Sequence, residues 1–414
     1  MTHTRSSLPA RDTPLTGAVQ VATLVAAAAV ALSLGAPVRA AEQSTRAGQI
    51  EQQKAQKAAA VTPPVRDMGD VVVVNVERVA KPVLPAFKPL LGGFRANAGF
   101  GAGASYVTPA GRHAVGTASA AWSIHNFKAV GTGLELPGVL GGRTDVRAAA
   151  KWLDEPTLTF YGVGLAAPAG EKTNYGLRTT DVSLGITTRA GRWFRYGADL
   201  GLVDTRSRDV ALSTEARTLL ASEIPGFGLD VTWTRAGAFA GIDTRESPGY
   251  TDHGGLYSAS WRGYHDRDGL FTFAVTDLDI RQFVPILNGN WIIALQAKAQ
   301  MATPAAGNVV PYFMLPAIGG RDTLPGFDDY RFADGASLLL RSELRWTPSP
   351  VVDMALLLDH GTVAPRLRDV SVGGLQRAWG VGMRLHSSTS TVLRFEVAHS
   401  IEGWRYNLAQ GVSF

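Results

Sequence analysis

The chain has 414 residues, 45% of them hydrophobic and 18% charged, with 46 glycines, no cysteine and a formal net charge of +5. Without cysteine there is no disulfide, thiolate metal site or thiol nucleophile, and so mild a positive balance does not suggest a nucleic-acid binder. The charged fraction lies below the roughly 25% usual for soluble domains.

Taken in chain order, the first element is a processing segment. Arg5 and Arg11 precede an apolar run from about Val19 to Leu34, and Val38-Arg39-Ala40 supplies small residues at cleavage spacing. This predicts a secretory signal peptide over 1–40, cut after Ala40, and hence an exported protein. Residues 41–93 read as a periplasmic leader, partly disordered. The leader is rich in Gln, Ala, Lys and Glu up to residue 60. It then carries a short apolar run, Val71 to Val74, and prolines at 82, 85 and 89, where a strand or a plug-like segment is open. Beyond residue 40 no run of 18 apolar residues occurs, so a membrane-embedded chain would have to be a closed barrel, the other structure that satisfies its backbone in lipid.

From residue 94 to 414 the texture becomes a series of alternating segments about ten residues long, parted by turn residues, as in an outer-membrane barrel. Leu338, Leu340, Leu344 and Trp346 share one face of their segment, and Ser337, Arg341, Glu343 and Arg345 share the other. Met354, Leu356 and Leu358 alternate with Asp353, Ala355, Leu357 and Asp359, and Leu393, Phe395 and Val397 oppose Arg394, Glu396 and Ala398. The fold class expected is all-β, a transmembrane antiparallel barrel of about sixteen strands. They lie near 96–107, 113–123, 128–137, 144–153, 176–188, 191–203, 231–244, 255–264, 269–281, 290–302, 309–316, 336–346, 352–361, 378–387, 390–400 and 404–414. Phe271, Phe273 and Val275 are followed out of phase by Leu278 and Ile280, which predicts a bulge. Trp346, Trp379, Trp404 and Tyr406 near strand ends suit an interfacial girdle. In the last segment Trp404, Tyr406, Leu408, Val412 and Phe414 fall on one face, interrupted by Gln410.

Several motifs then carry a family resemblance. The stretch 317–346 reads AIGGRDTLPGFDDYRFADGASLLLRSELRW. Its Gly319, Gly320, Leu324, Gly326 and Phe327 resemble the Gly-Gly pair and lumen-loop motif of the BamA/TamA family of outer-membrane proteins, the bacterial surface antigen superfamily, and Arg321, Pro325 and Arg331 lie in the same loop. Phe160, Tyr161, Gly162 and Gly164 resemble its aromatic-Gly-x-Gly segment. Asp243, Thr244, Arg245 and Pro248 resemble its Asp-Thr-Arg turn, and Leu357, Asp359 and Gly361 its Phe-x-Asp-x-Gly strand. Tyr406, Leu408, Gly411, Val412 and Phe414 look like its closing strand and the β-signal read by the outer-membrane assembly machinery. The five motifs occur in family order.

The resemblance implies that the sixth outer loop folds back into the lumen, where its Arg meets the Asp of the facing strand. Here Pro325 stands at that Arg, which leaves Arg321 or Arg331 as candidate partners for Asp359. It also implies insertion or translocation of proteins in the bacterial outer membrane, with outer-membrane lipid, the assembly machinery for its own insertion, and other outer-membrane proteins as partners. Residues 41–93 are too short and irregular for a POTRA domain, so the resemblance is to the barrel without that recruiting module. Neither catalytic residue, cofactor nor metal is expected, and the chain is read as no enzyme. The alternatives are a passive channel or structural surface barrel, and, less favoured, an outer-membrane hydrolase. Gly99-x-Gly101-x-Gly103 and Gly131-x-Gly133 lack the pattern of a phosphate loop, Asp266-Arg267-Asp268-Gly269 lacks EF-hand spacing, and no Gly-x-Ser-x-Gly elbow accompanies Asp359-His360.

Overall fold

The computed structural model describes residues 87–91, 98–109, 113–170, 172–208, 224–287, 290–387, 390–409 and 411–414. The signal-peptide expectation and the leader up to residue 86 lie outside these residues.

Along the described chain run β1 (Phe87–Leu91), β2 (Gly101–Pro109), β3 (Val115–Ser123), β4 (Lys128–Gly138), β5 (Thr144–Phe160), β6 (Thr173–Ala190), β7 (Phe194–Arg208), β8 (Val231–Asp243) and β9 (Gly254–Asp266). There follow β10 (Phe273–Ile286), β11 (Trp291–Pro304), the two-residue β12 (Ala317–Ile318) and β13 (Phe332–Ala333), β14 (Ala336–Ser349), β15 (Val352–Ala364), β16 (Gln376–His386), β17 (Thr391–Ser400) and β18 (Gly403–Ala409). Sixteen of them form one sheet in sequence order, each antiparallel to the next, and β12 pairs only with β13 inside the β11–β14 connection. The sheet is an outer-membrane-type β-barrel, and β1 and β18 are its two ends. Among the described residues no helix is long and apolar enough to cross a membrane.

The two faces are the reverse of a water-soluble protein. Leu200, Leu202, Leu356, Met354, Val381 and Phe395 point outward and are exposed, while Arg341, Glu343, Arg345, Asp359, Arg384 and Glu396 are buried on the inside. Apolar side chains turned outward cost nothing against acyl chains, and charges held inside can pair. Aromatic rings collect near both rims. Trp291 stacks on Trp346 at the turn end, with centroids 5.9 Å apart, and Trp379 meets Trp404 at the loop end, 5.4 Å apart.

The ends differ. Most turn-end connections are short, whereas the β11–β14 connection is long, and it and residues 224–230 before β8 lie at the loop-end mouth. Phe127, Phe160, Tyr175, Ile224 and Tyr312 form one buried cluster there. Trp233, Phe271, Phe273 and Val275 form a second beside it, and Phe313 packs against both.

Three expectations are corrected. The 309–316 segment is no barrel strand: it carries a single 3-10 turn, Tyr312–Met314, within the aromatic cap. Its residues are apolar on both faces, so they have no lumen side, and Pro311 and Pro316 lack the N–H a central strand needs. The sixteenth strand is β1, inside the stretch read as leader; its Pro89 is tolerable on so short a terminal strand. The bulge is absent, because β10 keeps continuous register with β9 and β11. Phe273 and Val275 face inward with Asp277 and Asp279. They are apolar because that part of the lumen wall supports the cap.

Candidate functional site: a lumen loop, a charge network and an open seam

The β11–β14 connection enters the lumen as a tight hairpin. Gly320 bridges Leu324, and the Gly320 N–H donates to the Phe327 carbonyl at 3.1 Å. Gly319 and Gly320 sit at φ +124° and +85°. A Cβ on Gly319 would lie 2.2 Å from the Asp328 carbonyl oxygen, so this position admits no side chain. Leu324 and Phe327 are buried with Ile318, Phe332 and Leu339. Gly326 lies against the wall, where a Cβ would come within about 3 Å of Ser400, Ala378 and His399. Its carbonyl accepts from Ser400 Oγ at 2.6 Å, and the Pro325 carbonyl accepts from Asn407 on β18 at 3.3 Å.

Two of the predicted motifs meet this hairpin. Tyr161 Oη donates to Asp328 at 3.0 Å, the Arg331 guanidinium lies over the Tyr161 ring at 5.1 Å, and Gly164 N–H donates to the Ala333 carbonyl at 2.8 Å. Burial, aided by the neighbouring Asp328 carboxylate, pushes the Tyr161 phenol well above its usual range, so it is a fixed donor. On β15, Gly361 makes room for the loop: a Cβ there would be 2.7 Å from Ile318. Leu357 is buried on the same inward face.

Asp359 faces the lumen as expected, but neither proposed partner reaches it. Arg331 pairs with Glu402 at 2.6 Å and Arg321 contacts Asp322 at 3.5 Å. Its counter-ion is Arg341 on the adjacent strand, Nε to Oδ1 at 3.3 Å, with both side chains essentially unexposed. Arg341 also donates to the Asp322 carbonyl at 3.4 Å and to the Ser413 carbonyl at 2.9 Å. The loop contributes an acid to the wall: Asp322 Oδ1 lies 3.3 Å from Arg394 on β17. The loop is thus docked by an acid–arginine pair whose arginine lies on the wall. The alternation had placed Arg341 and Arg394 on the inward face; their partners depend on strand register and loop path, which it does not report.

The network continues toward the turn end. Glu343 takes Arg345 Nε at 2.8 Å and Arg384 Nη2 at 2.7 Å. Glu396 lies 3.4 Å from Arg394 and 3.5 Å from Arg384. These strands therefore present a wall of paired buried charge that holds the loop on one side.

The same wall holds the end of the described chain. β18 stops at Ala409, and the closing segment turns inward, with Gly411 at φ +83°. Trp404, Tyr406 and Leu408 face outward as expected. Phe414 does not: it is buried in the lumen, 6.1 Å from the Phe283 ring and 5.1 Å beneath the Arg341 guanidinium. Ser413 Oγ donates to Glu343 and accepts from Arg384 Nη2 at 3.0 Å. The outward-face expectation for Phe414 is therefore corrected. The lumen-side arginines give the ring a cation–π seat that the strand pattern does not reveal.

The Asp-Thr-Arg motif lies at the opposite end, in the β8–β9 turn. Arg245 grips Asp243 with two bonds of 2.9 and 3.1 Å, and Thr244 Oγ1 is joined to the Gly255 amide at 2.9 Å. Pro248 leads into Gly249 and Tyr250, which reach the wall formed by β15–β17. Burial, with the Asp353 carboxylate beside it, pushes the Tyr250 phenol up to about 12. The one grouping of possible metal ligands among the described residues, Glu246, Asp252 and His253, is exposed or half-exposed on this turn.

The discounted motifs fall where turns and walls need them. Asp266 caps the β9–β10 turn by accepting the amides of Asp268, Leu270 and Phe271. Asp359 and His360 point to opposite faces of β15, which separates the two groups a triad would need together.

These features define the chain's class as a barrel of the outer-membrane type with an inward-folded loop and, among the described residues, no pairing between β1 and β18. Its fold is that of BamA and CdiB. BamA from Haemophilus ducreyi lacking POTRA domains 1–3 superposes with a TM-score of 0.60 at 13% identity, over 78% of this chain and 69% of that one. CdiB from Escherichia coli gives 0.53 at 15% identity, over 79% and 62%. CdiB from Acinetobacter baumannii gives 0.51 at 13%, over 79% and 59%. The chain thus spans about three fifths of either CdiB. No protein-family model and no curated protein matches it.

Proposed function

We propose that this protein resides in the bacterial outer membrane and inserts or translocates polypeptides through an opening between β1 and β18. The observation that carries the reading is the seam. Among the described residues the sheet order runs from β1 to β18, and no pairing joins these two strands. An edge with free N–H and C=O groups is a template for an incoming strand, and the inward turn after Ala409 keeps the last strand from extending along it. The fold shared with BamA and CdiB supports the same reading. The work is positional, so it needs no catalytic residue or cofactor.

Its clients are other outer-membrane or exported polypeptides, and lipid surrounds the apolar outer face. Residues 1–40 direct export, and the closing segment from Tyr406 to Phe414 is what the assembly machinery reads during the protein's own insertion. Mass spectrometry of the mature N-terminus tests the cleavage. The deciding experiment is depletion. Outer-membrane protein levels or secretion of a client should fall; unchanged profiles under full depletion would refute the proposal.

A further inference from the structure

The β8–β9 turn does something that a hairpin between neighbouring strands does not require. Residues 244–253 leave β8 and reach strands that stand six places along the sheet, at β16, and beyond it at β17. At that distance the turn crosses the mouth as a chord. Five contacts fix its far side. Gly249 bridges Ser390 in parallel, and its carbonyl accepts the Thr391 amide at 2.8 Å. The Tyr250 ring lies flat on His386, with centroids 3.9 Å apart and planes within 5°. Tyr250 Oη donates to Asp353 Oδ1 at 3.3 Å, and His386 Nε2 lies 3.2 Å from the same oxygen. Arg345 Nη1 donates to the Thr251 carbonyl at 3.2 Å, with Thr251 itself buried.

Two of these wall residues also hold the closing segment. Thr391 gives its amide to Gly249, and its carbonyl accepts the Gly411 amide at 3.2 Å. Arg345 donates a hydrogen bond to the Thr251 carbonyl, and its guanidinium lies 5.8 Å from the Phe414 ring. The turn and the segment 411–414 therefore lie side by side over one mouth and share their anchors. The wall from β5 to β9 encloses a lumen cavity of about 560 Å³, lined in part by Arg147, Lys151, Ser183, Arg235 and Arg262.

We propose that the β8–β9 turn is a strap that closes the turn-end mouth and clamps the inward-folded closing segment, with Tyr250 on His386 and Asp353 as its latch. Access to the lumen from that end requires the latch to open, whatever crosses. The inference concerns access alone and stands apart from the insertion reading, because its test uses neither a client nor cellular activity.

The absence of cysteine makes the test clean. A single reporter, Ser183→Cys, is placed in the cavity wall of the purified full-length protein in detergent micelles. Its rate of labelling by a charged maleimide is compared in four backgrounds: unaltered, Tyr250→Phe, Tyr250→Ala, and Gly249→Cys with Ser390→Cys. The Phe variant keeps the stack and loses one hydrogen bond, so labelling should rise about fivefold. The Ala variant loses both and should give a rise of about tenfold or more. Oxidising the cysteine pair should slow labelling several-fold, and reduction should restore it. Heat-modifiable gel migration reports whether each variant is folded. A folded Tyr250→Ala protein that labels at the unaltered rate, or an oxidised pair that leaves the rate unchanged, would overturn the strap.

Discussion

A guanidinium inside a barrel has to find oxygen on several sides, and Arg341 finds it on three parts of the chain: Asp359, the loop at Asp322 and the closing segment at Ser413. Removing one member of a buried pair leaves the other charge uncompensated at a cost of about 3–5 kcal/mol, whereas replacing both with apolar residues restores most of it. Arg341→Ala should therefore lower the unfolding midpoint in a urea titration in micelles far more than Arg341→Met with Asp359→Leu. Equal losses would mean that the pair holds nothing in place. Gly319→Ala acts through the backbone instead. A left-handed φ and a carbonyl 2.2 Å from the new Cβ cost about 1–3 kcal/mol in strain, and limited proteolysis should then cut the loop sooner. Tyr250 supplies a pH dependence. Its phenol ionises near 10 when unfolded and at about 12 when folded, so between those values the unfolded chain has released a proton that the folded one retains. Stability present below pH ~10 should decline toward pH ~12, and a Tyr250→Phe protein should lose less over that window in the same titration.

At the scale of elements, alternation was legible wherever a strand's two faces meet different solvents. β14, β15, β16 and β17 carry Arg341, Glu343, Asp359, Arg384 and Glu396 inward and Met354, Leu356, Val381 and Phe395 outward, and their limits were read to within a few residues. Reading failed where a face changes its neighbour along its length. Phe273 and Val275 line the lumen yet are apolar because they prop the aromatic cap, and 309–316 is apolar throughout because it is the cap. β1 went unread because five residues with a proline show too little period. Among the motifs, the family pattern brought Tyr161, Gly164, Gly320 and Gly361 to one place. The partner of Asp359 was not legible, since Arg341 is set by register: the two residues face each other across β14 and β15. The inward turn of the closing segment was hidden for a similar reason. Val412 and Phe414 continue the spacing of an outward face, but Gly411 breaks the strand and the ring finds Phe283 and two guanidinium groups inside. Phe414→Ala should therefore cost about 3 kcal/mol, as truncation of a packed aromatic does. It should also hasten limited proteolysis of segment 411–414, whereas Trp404→Ala on the lipid-facing side of β18 should leave that rate unchanged.

The seam and pore readings make different predictions at the scale of the whole molecule. An open channel needs a water path from mouth to mouth, and here both mouths are crossed by the chain's own segments. At the loop end the aromatic clusters join loops from several strands; at the turn end lie the β8–β9 turn and the closing segment, bound to shared wall residues. Between them the hairpin is fastened by Arg341 and Arg394. Charge along the remaining wall is largely paired as well: Arg235 bridges Asp181 and Asp199, and Arg281 holds Asp279. Such a lumen resists steady ion flow although its walls are polar. Purified protein in planar bilayers should accordingly show little steady conductance. Asp359→Ala strips Arg341 of its counter-ion, and Arg394→Ala releases Asp322; both loosen the hairpin. Either change should bring conductance steps of the kind a wide barrel with a displaced plug gives. The passive-channel alternative predicts the opposite pattern: a steady conductance in the unaltered protein, indifferent to Asp359→Ala, because an ion path that bypasses the hairpin gains nothing from its release.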